Sequence, residues 1–285
     1  EMSRGLGDVY KRQELGKLLK QINEIDSRKI KDFFKVCFVS IIKKCSYTDD
    51  SSPKPYVSTK IKKIPGKPKD ELTKIYKKYY KGIEKLSEIQ DLGNVEILNG
   101  DALQFDLNKK VSLVITSPPY INAFDYGRTM RLENLWLGLL SEKQLREKKK
   151  KYVGTEKIKT VEEKEDLSIL QESETLKKVY NEIYPKDEKR ALIVKRFFDD
   201  MKQNYAQVKE CLKKNGHYVI VIGDSNIRKV NIKSSEILAE IAINNGFVLE
   251  DKFSYIIKNP YINIPRNGNG GKINLDNVIV LRKDD

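Results

Sequence analysis

The apolar run Val111 to Thr116 (VSLVIT) passes straight into Ser117-Pro118-Pro119-Tyr120. Residues of this kind form a strand, and the paired prolines end it, because each removes a backbone donor and fixes φ at about −65°. The chain must therefore leave its sheet at a defined point, through a stiff loop that carries a hydroxyl, a fixed carbonyl and an aromatic ring. A second apolar run, HYVIVIGD (217–224), is continuous rather than alternating, which is the pattern of a strand covered on both faces.

Helices alternate with these runs. Arg196 to Lys213 is expected to be helical and to stop at Asn215-Gly216, and Ser234 to Asn245 to stop before Gly246. Val95–Leu98 reads as a short strand, and Phe247–Ile257 and Val278–Arg282 as two final ones. Strands alternating with helices give a doubly wound α/β sheet. Upstream, Glu14 to Cys45 has helical spacing, with Leu15, Leu18, Leu19, Ile22 and Ile25 on one face and a second helix capped at Asp26 or Ser27. Residues 46–71 read as a loop by their proline, serine and lysine content, followed by an amphipathic helix over Asp70–Gln90. Residues 141–189 are highly charged and weakly periodic, either a mobile insertion or a helical subdomain.

Composition narrows the chemistry. There are 55 Lys and Arg against 41 Asp and Glu, a formal charge of +14, which favours a polyanionic partner such as nucleic acid, although exposed lysine-rich helices give the same balance. With three cysteines, none at metal-ligand spacing, and one histidine, a zinc site and a histidine-based triad are not expected. Nothing in the sequence suggests oxidation or secretion, so a reducing cytoplasm is expected. No apolar run reaches the roughly 18 residues of a membrane span.

Loops at the carboxyl ends of strands bind ligands in open α/β sheets. At such an end, the Ser117 hydroxyl and the Ser117 or Pro118 carbonyl are two acceptors, which is what an amino group requires. Tyr120 offers a face on which a base can stack. The loop holds no strong nucleophile and no evident general base. That suits a reaction whose substrate is itself the nucleophile and is activated by positioning. Asp101, in LNGDALQF (98–105), is a carboxylate at an expected strand end, where it can serve a cofactor or cap a turn; Asp224 in VIGDS is a second such carboxylate.

VITSPPY resembles the catalytic motif of the amino-methylating DNA methyltransferases, which use S-adenosylmethionine. The serine before the prolines is typical of cytosine-N4 enzymes; Asp or Asn there is typical of adenine-N6 enzymes. The longer run TSPPYINAFDYGRTMRLENLWLG (116–138) is similar to one branch of that family, as are residues 49–58, 196–228 and IPRNGNGG (264–271). The resemblance covers about residues 14 to 283. It implies a class I, Rossmann-like methyltransferase sheet, a double-stranded DNA substrate with its target base flipped out, and a cognate restriction endonuclease as a possible partner. It implies catalytic roles for Ser117, Pro118, Pro119 and Tyr120. It places Asp101 and Thr116 at the cofactor, with Asp101 on the adenine amino group. Asp125, Tyr126, Arg128 and Arg131 would line the base pocket or hold a phosphate, and Arg266 would meet the DNA from a glycine-rich loop. Asp125 as a helix cap is the alternative. Lys60, Lys62, Lys63 and Lys67 form a basic loop that either follows the DNA backbone or is simply solvated.

The family's glycine-rich turn after its first strand, and the acidic end of its second, find no match in the sequence. The opening residues EMSRGLGDVYKRQ resemble translated adapter sequence. The expectation is therefore a chain truncated at its N-terminus: a non-native leader over 1–13, a helical segment with the basic loop over 14–90, and a catalytic core over 91–140 and 190–283. The charged insertion 141–189 is then a target-recognition candidate. Cytosine-N4 methylation leads, with adenine-N6 methylation or an inactive nucleic-acid-binding remnant as alternatives.

Overall fold

The computed structural model describes residues 9–59, 62–121, 125–258 and 274–284. The chain divides into two compact units, Glu1–Ile97 with Asp125–Lys148, and Leu98–Phe124 with Lys149–Asp285.

The first unit is helical: α1 (Val9–Asn23), α2 (Arg28–Ile42), α3 (Pro68–Ser87), then the short α4 (Tyr126–Thr129), α5 (Arg131–Trp136) and α6 (Glu142–Lys149). Leu15 and Ile22 of α1, Cys37, Phe38 and Ile41 of α2, Ile75 of α3 and Leu132 of α5 share one buried cluster. Each large side chain so buried contributes about 1.5–3 kcal/mol. Pro68 starts α3, where its missing N–H costs nothing, and Asp70 and Glu71 lie in the first turn against the positive end of the helix. The loop between α2 and α3 is built around two lysines. Lys43 Nζ donates to the carbonyls of Ser52 (2.7 Å) and Pro53 (3.2 Å). Lys63 Nζ donates to the carbonyls of Lys43 (2.8 Å) and Thr48 (2.9 Å) and to Asp50 (2.7 Å). Lys63 is thus an internal strut rather than a cation facing outward; Lys62 and Lys67 are exposed, and Lys60 lies outside the described residues.

The second unit contains β1 (Val111–Thr116), α7 (Thr160–Glu165), a 3-10 turn (Ser168–Gln171), α8 (Glu174–Ile183), α9 (Glu188–Cys211), β2 (Leu212–Gly223), a small hairpin of β3 (Ser225–Ile227) and β4 (Val230–Ile232), α10 (Ser234–Asn244), β5 (Phe247–Ile256) and β6 (Leu275–Lys283). The main sheet has the order β1-β2-β6-β5. β1 runs parallel to β2, and β6 lies antiparallel between β2 and β5. The result is a mixed α/β unit with a central sheet. Helices α9 and α10 cover the face bearing Tyr218, Ile220, Ile279 and Leu281, all buried. The opposite side of β2 is only partly covered, since Val219 and Val221 are half-buried. Coverage of 217–224 on both faces, expected from its continuous apolar run, is met on one. Among the described residues no strand pairs the outer edge of β1, where Leu113 and Ile115 are 51% and 66% exposed.

Two expected elements come out differently. Val95–Leu98 is not a strand: Val95 and Ile97 are 87% and 92% exposed, with no neighbour among the described residues to complete a ladder. Helix α9 ends at Cys211, four residues before Asn215-Gly216, and β2 begins at once. Asn215 and Gly216 make a kink inside the strand, with Asn215 at φ 57°, where the pairing register jumps from Val111↔Leu212 to Leu113↔His217. By contrast α10 stops as expected, with Gly246 at φ 82°. Part of the charged stretch 141–189 is folded into the core: Ile169, Leu176, Val179 and Ile183 are buried there.

Candidate active site

The strand end that the prolines dictate is present. β1 closes at the half-buried Thr116, paired with Ile220. Ser117 is exposed, Pro118 is buried, and Pro119 and Tyr120 are half-buried. Ile121 anchors the loop in the main core at 2% exposure. The loop therefore presents its serine outward while its second half is held from below. Gly154, at φ 74°, passes close beside it: a Cβ there would stand 3.4 Å from Phe197 Cδ2 and 3.9 Å from Pro119 Cβ. Gly154 thus belongs to the wall of this loop.

Tyr120 is held by its hydroxyl, which donates to Asp276 Oδ1 at 2.5 Å, across 156 residues of sequence. The Gly223 N–H lies toward the Tyr120 hydroxyl oxygen. Burial, and then the Asp276 carboxylate, push the phenol far above its ordinary range, so it stays protonated. Gly223, Asp276 and Tyr255 are cross-strand partners on β2, β6 and β5. Tyr255 lies beside Asp276 as its strand partner, and its phenol is raised first by desolvation and then by that carboxylate. Asn277, on the other side of the β6 pleat, donates to Asp224 Oδ1 at 3.3 Å and meets Ser254 Oγ at 2.7 Å. The Asp224 carboxyl is raised by desolvation, although the Ser234 and Ser235 N–H groups at the start of α10 oppose this.

Asp101 sits in a turn rather than at a strand end. It is exposed, and its carboxylate accepts the Leu103 N–H at 3.0 Å. The turn is laid along α9: Asn204 Nδ2 donates to the Ala102 carbonyl (2.7 Å), Gln203 Nε2 to the Leu103 carbonyl (3.1 Å), and the Phe105 N–H to Gln207 Oε1 (3.2 Å). The second unit thus holds Thr116, Ser117, Pro118, Pro119, Tyr120 and Asp101. Asp125, Tyr126, Arg128 and Arg131 belong to the first. There Asp125 caps α4 by accepting the Arg128 N–H at 3.1 Å. Tyr126 and Arg128 are exposed, and Arg131 is paired to Glu142 at 2.6 Å. Arg266 lies outside the described residues.

Helix α9 also carries a largely buried ionic cluster. Lys195 Nζ is 3.3 Å from Glu163 and 2.7 Å from Asp199; Arg196 is 2.9 Å from Glu163 and 2.8 Å from Asp200. These bonds tie α7 to α9. Desolvation raises Asp200 to about 6 despite the opposing Arg196 charge.

Sequence reasoning missed Asp276, Gly223, Tyr255 and Gly154. No motif surrounds them; only the strand register brings the first three together. Among the described residues no group of three or more His, Cys, Asp or Glu could hold a metal ion, and no helix is long and apolar enough to cross a membrane. His217 is bonded to Glu250 at 2.7 Å, and Cys37, Cys45 and Cys211 are free and buried.

No family model matches the chain. Among characterised proteins it is similar to the type II methyltransferase M.MvaI of Kocuria varians, with 25% identity over 235 residues. The matched region covers 77% of this chain and 52% of the relative, so the chain spans about half the length of the curated relative it matches.

Proposed function

We propose that the chain carries the amine-binding side of the active site of an S-adenosylmethionine-dependent DNA methyltransferase, acting on the exocyclic N4 of a cytosine flipped out of double-stranded DNA. The observation that carries this reading is the Ser-Pro-Pro-Tyr turn at the carboxyl end of β1, with Ser117 exposed and the Tyr120 ring anchored. The similarity to a type II methyltransferase supports it; a cognate restriction endonuclease as partner and a prokaryotic cytoplasm as location are proposed with it.

In this reading the amino group donates its two hydrogens to the Ser117 hydroxyl and the Pro118 carbonyl. Both acceptors draw the N–H bonds toward themselves and raise electron density on nitrogen, an effect that grows as the nitrogen becomes positive in the transition state. The prolines hold the acceptors in place, so little order is lost when the base docks. Tyr120 supplies a neutral stacking face. S-adenosylmethionine, when bound, supplies the electrophilic methyl group. Asp101, exposed and with one carboxylate oxygen accepting the Leu103 N–H, and Thr116 at the end of β1 are proposed to meet it from this side. The charged segment 141–189 is proposed as a target-recognition element, and exposed Arg128 with Arg266 as phosphate contacts.

Incubating the chain with DNA and S-adenosylmethionine, then weighing the digested nucleosides by mass spectrometry, tests the proposal. N4-methylcytosine is the expected product. N6-methyladenine would move the target to adenine, and the absence of both would overturn the reading.

A further inference from the structure

We infer that Asp276 is a positioning residue for Tyr120: from the start of β6 its carboxylate holds the phenol of the site loop and so fixes the plane on which the target base stacks. The inference rests on the reading of Ser117 to Tyr120 given above and assigns that site a residue which no motif marks.

The paired prolines immobilise the backbone as far as residue 119, but they leave the two side-chain torsions of Tyr120 free. A half-buried ring at a loop end would sample several rotamers. Its hydroxyl is instead held by Asp276, donating to Oδ1 at 2.5 Å, with the Gly223 N–H beside it. These anchors are strand residues, directly paired as Gly223↔Asp276, so they are as rigid as the sheet. The pleat separates the duties of adjacent residues. Asn277 faces Asp224 and Ser254, which leaves Asp276 to the tyrosines. A carboxylate suits the task because it only accepts, so the phenol must donate to it, and Tyr255, paired with Asp276 across β5 and β6, lies beside it. Tyr255 is 47% exposed, so this polar triad sits at the rim of the unit, where a core-stabilising role would be weak. A ring aligned in advance lowers the ordering required when a flipped base stacks.

The test uses the full chain and two readouts. With tyrosine labelled at Cζ, the Tyr120 resonance is assigned by its loss in Tyr120→Phe and followed through an alkaline titration. In Asp276→Ala the Tyr120 phenol should ionise at clearly lower pH than in the unsubstituted chain. Asp276→Asn, which keeps shape and one acceptor, should fall between and guards against misfolding of the alanine variant. Methyl transfer to DNA is then measured for Tyr120→Phe, Asp276→Asn and the double variant. Each single change should lower kcat about tenfold with KM for DNA nearly unchanged, and the double variant should be no worse than either single one. An unshifted Tyr120 titration, or additive losses in kcat, overturns the role of Asp276. A shifted titration in a chain that transfers no methyl group overturns the reading of the site, and leaves the bond as structure alone.

Discussion

The Tyr218 hydroxyl, inside the core, donates to Asn204 Oδ1 at 2.6 Å, and the Nδ2 of the same amide donates to the Ala102 carbonyl at 2.7 Å. One asparagine of α9 therefore joins the central strand β2 to the turn that carries Asp101. Asn204→Leu should destabilise the chain by about 2–3 kcal/mol, because it strands a buried hydroxyl and a carbonyl at once. Tyr218→Phe should cost only about 1 kcal/mol, since the Ala102 bond survives. Urea unfolding measures both; equal losses would show that the amide does not bridge the two elements.

Ser117→Ala should reduce methyl transfer by on the order of 10²-fold while DNA affinity changes little, because the lost acceptor matters most as charge develops on the amine. The serine is exposed, so folding should be unaffected. Single-turnover rates and equilibrium DNA binding separate the two effects. Unaltered turnover would remove Ser117 from the chemistry.

Asp200 gives a pH signature. Its carboxyl is raised from 3.8 to about 6, chiefly by burial, with Arg196 opposing and Asp199 and Glu163 adding to the rise. A carboxyl raised on folding binds more protons in the native state, so its contribution to stability falls as pH climbs from about 4 through 6. The isosteric Asp200→Asn carries no such penalty. Relative to the unsubstituted chain, the variant should therefore be more stable at pH 8 than at pH 4.5. Urea midpoints for both proteins at the two pH values decide it, and a gap that ignores pH would show that the carboxyl is not desolvated.

Lys195 lies between Glu163 and Asp199 at 4% side-chain exposure. Removing one member of a buried charged set leaves the others uncompensated, so Lys195→Met should cost about 3–5 kcal/mol. It should also loosen α7 from α9. Amide exchange over 160–165 would reveal this, and unchanged protection there would argue against the latch.

DNA binding should weaken steeply between low and physiological salt, because a chain of net charge +14 releases counterions from several phosphates. A titration of affinity against salt gives the slope. A flat line would mean that the charge serves only solubility.

What the sequence determined by itself is what local sterics determine. Two adjacent prolines cannot continue a ladder, so β1 ends at Thr116 and the Ser117 to Tyr120 loop follows it. Asn245-Gly246 closes α10 because glycine takes the left-handed conformation without strain. Apolar spacing placed α1 and α2, whose buried residues include Leu15, Ile22, Cys37 and Ile41. The tertiary structure alone decided the rest, since a strand exists only where a partner lies alongside. Val95–Leu98 has the composition of a strand and, among the described residues, none beside it, whereas Leu212 starts pairing with Val111 before the expected stop at Asn215-Gly216. Lys63, expected either to follow a DNA backbone or to be solvated, instead donates to two carbonyls, because the loop folds around it. Asp276 reaches Tyr120 only because β6 enters the sheet antiparallel beside β2 and brings it level with Gly223. That register is fixed by pairing along the whole strand, and no short stretch of sequence encodes it.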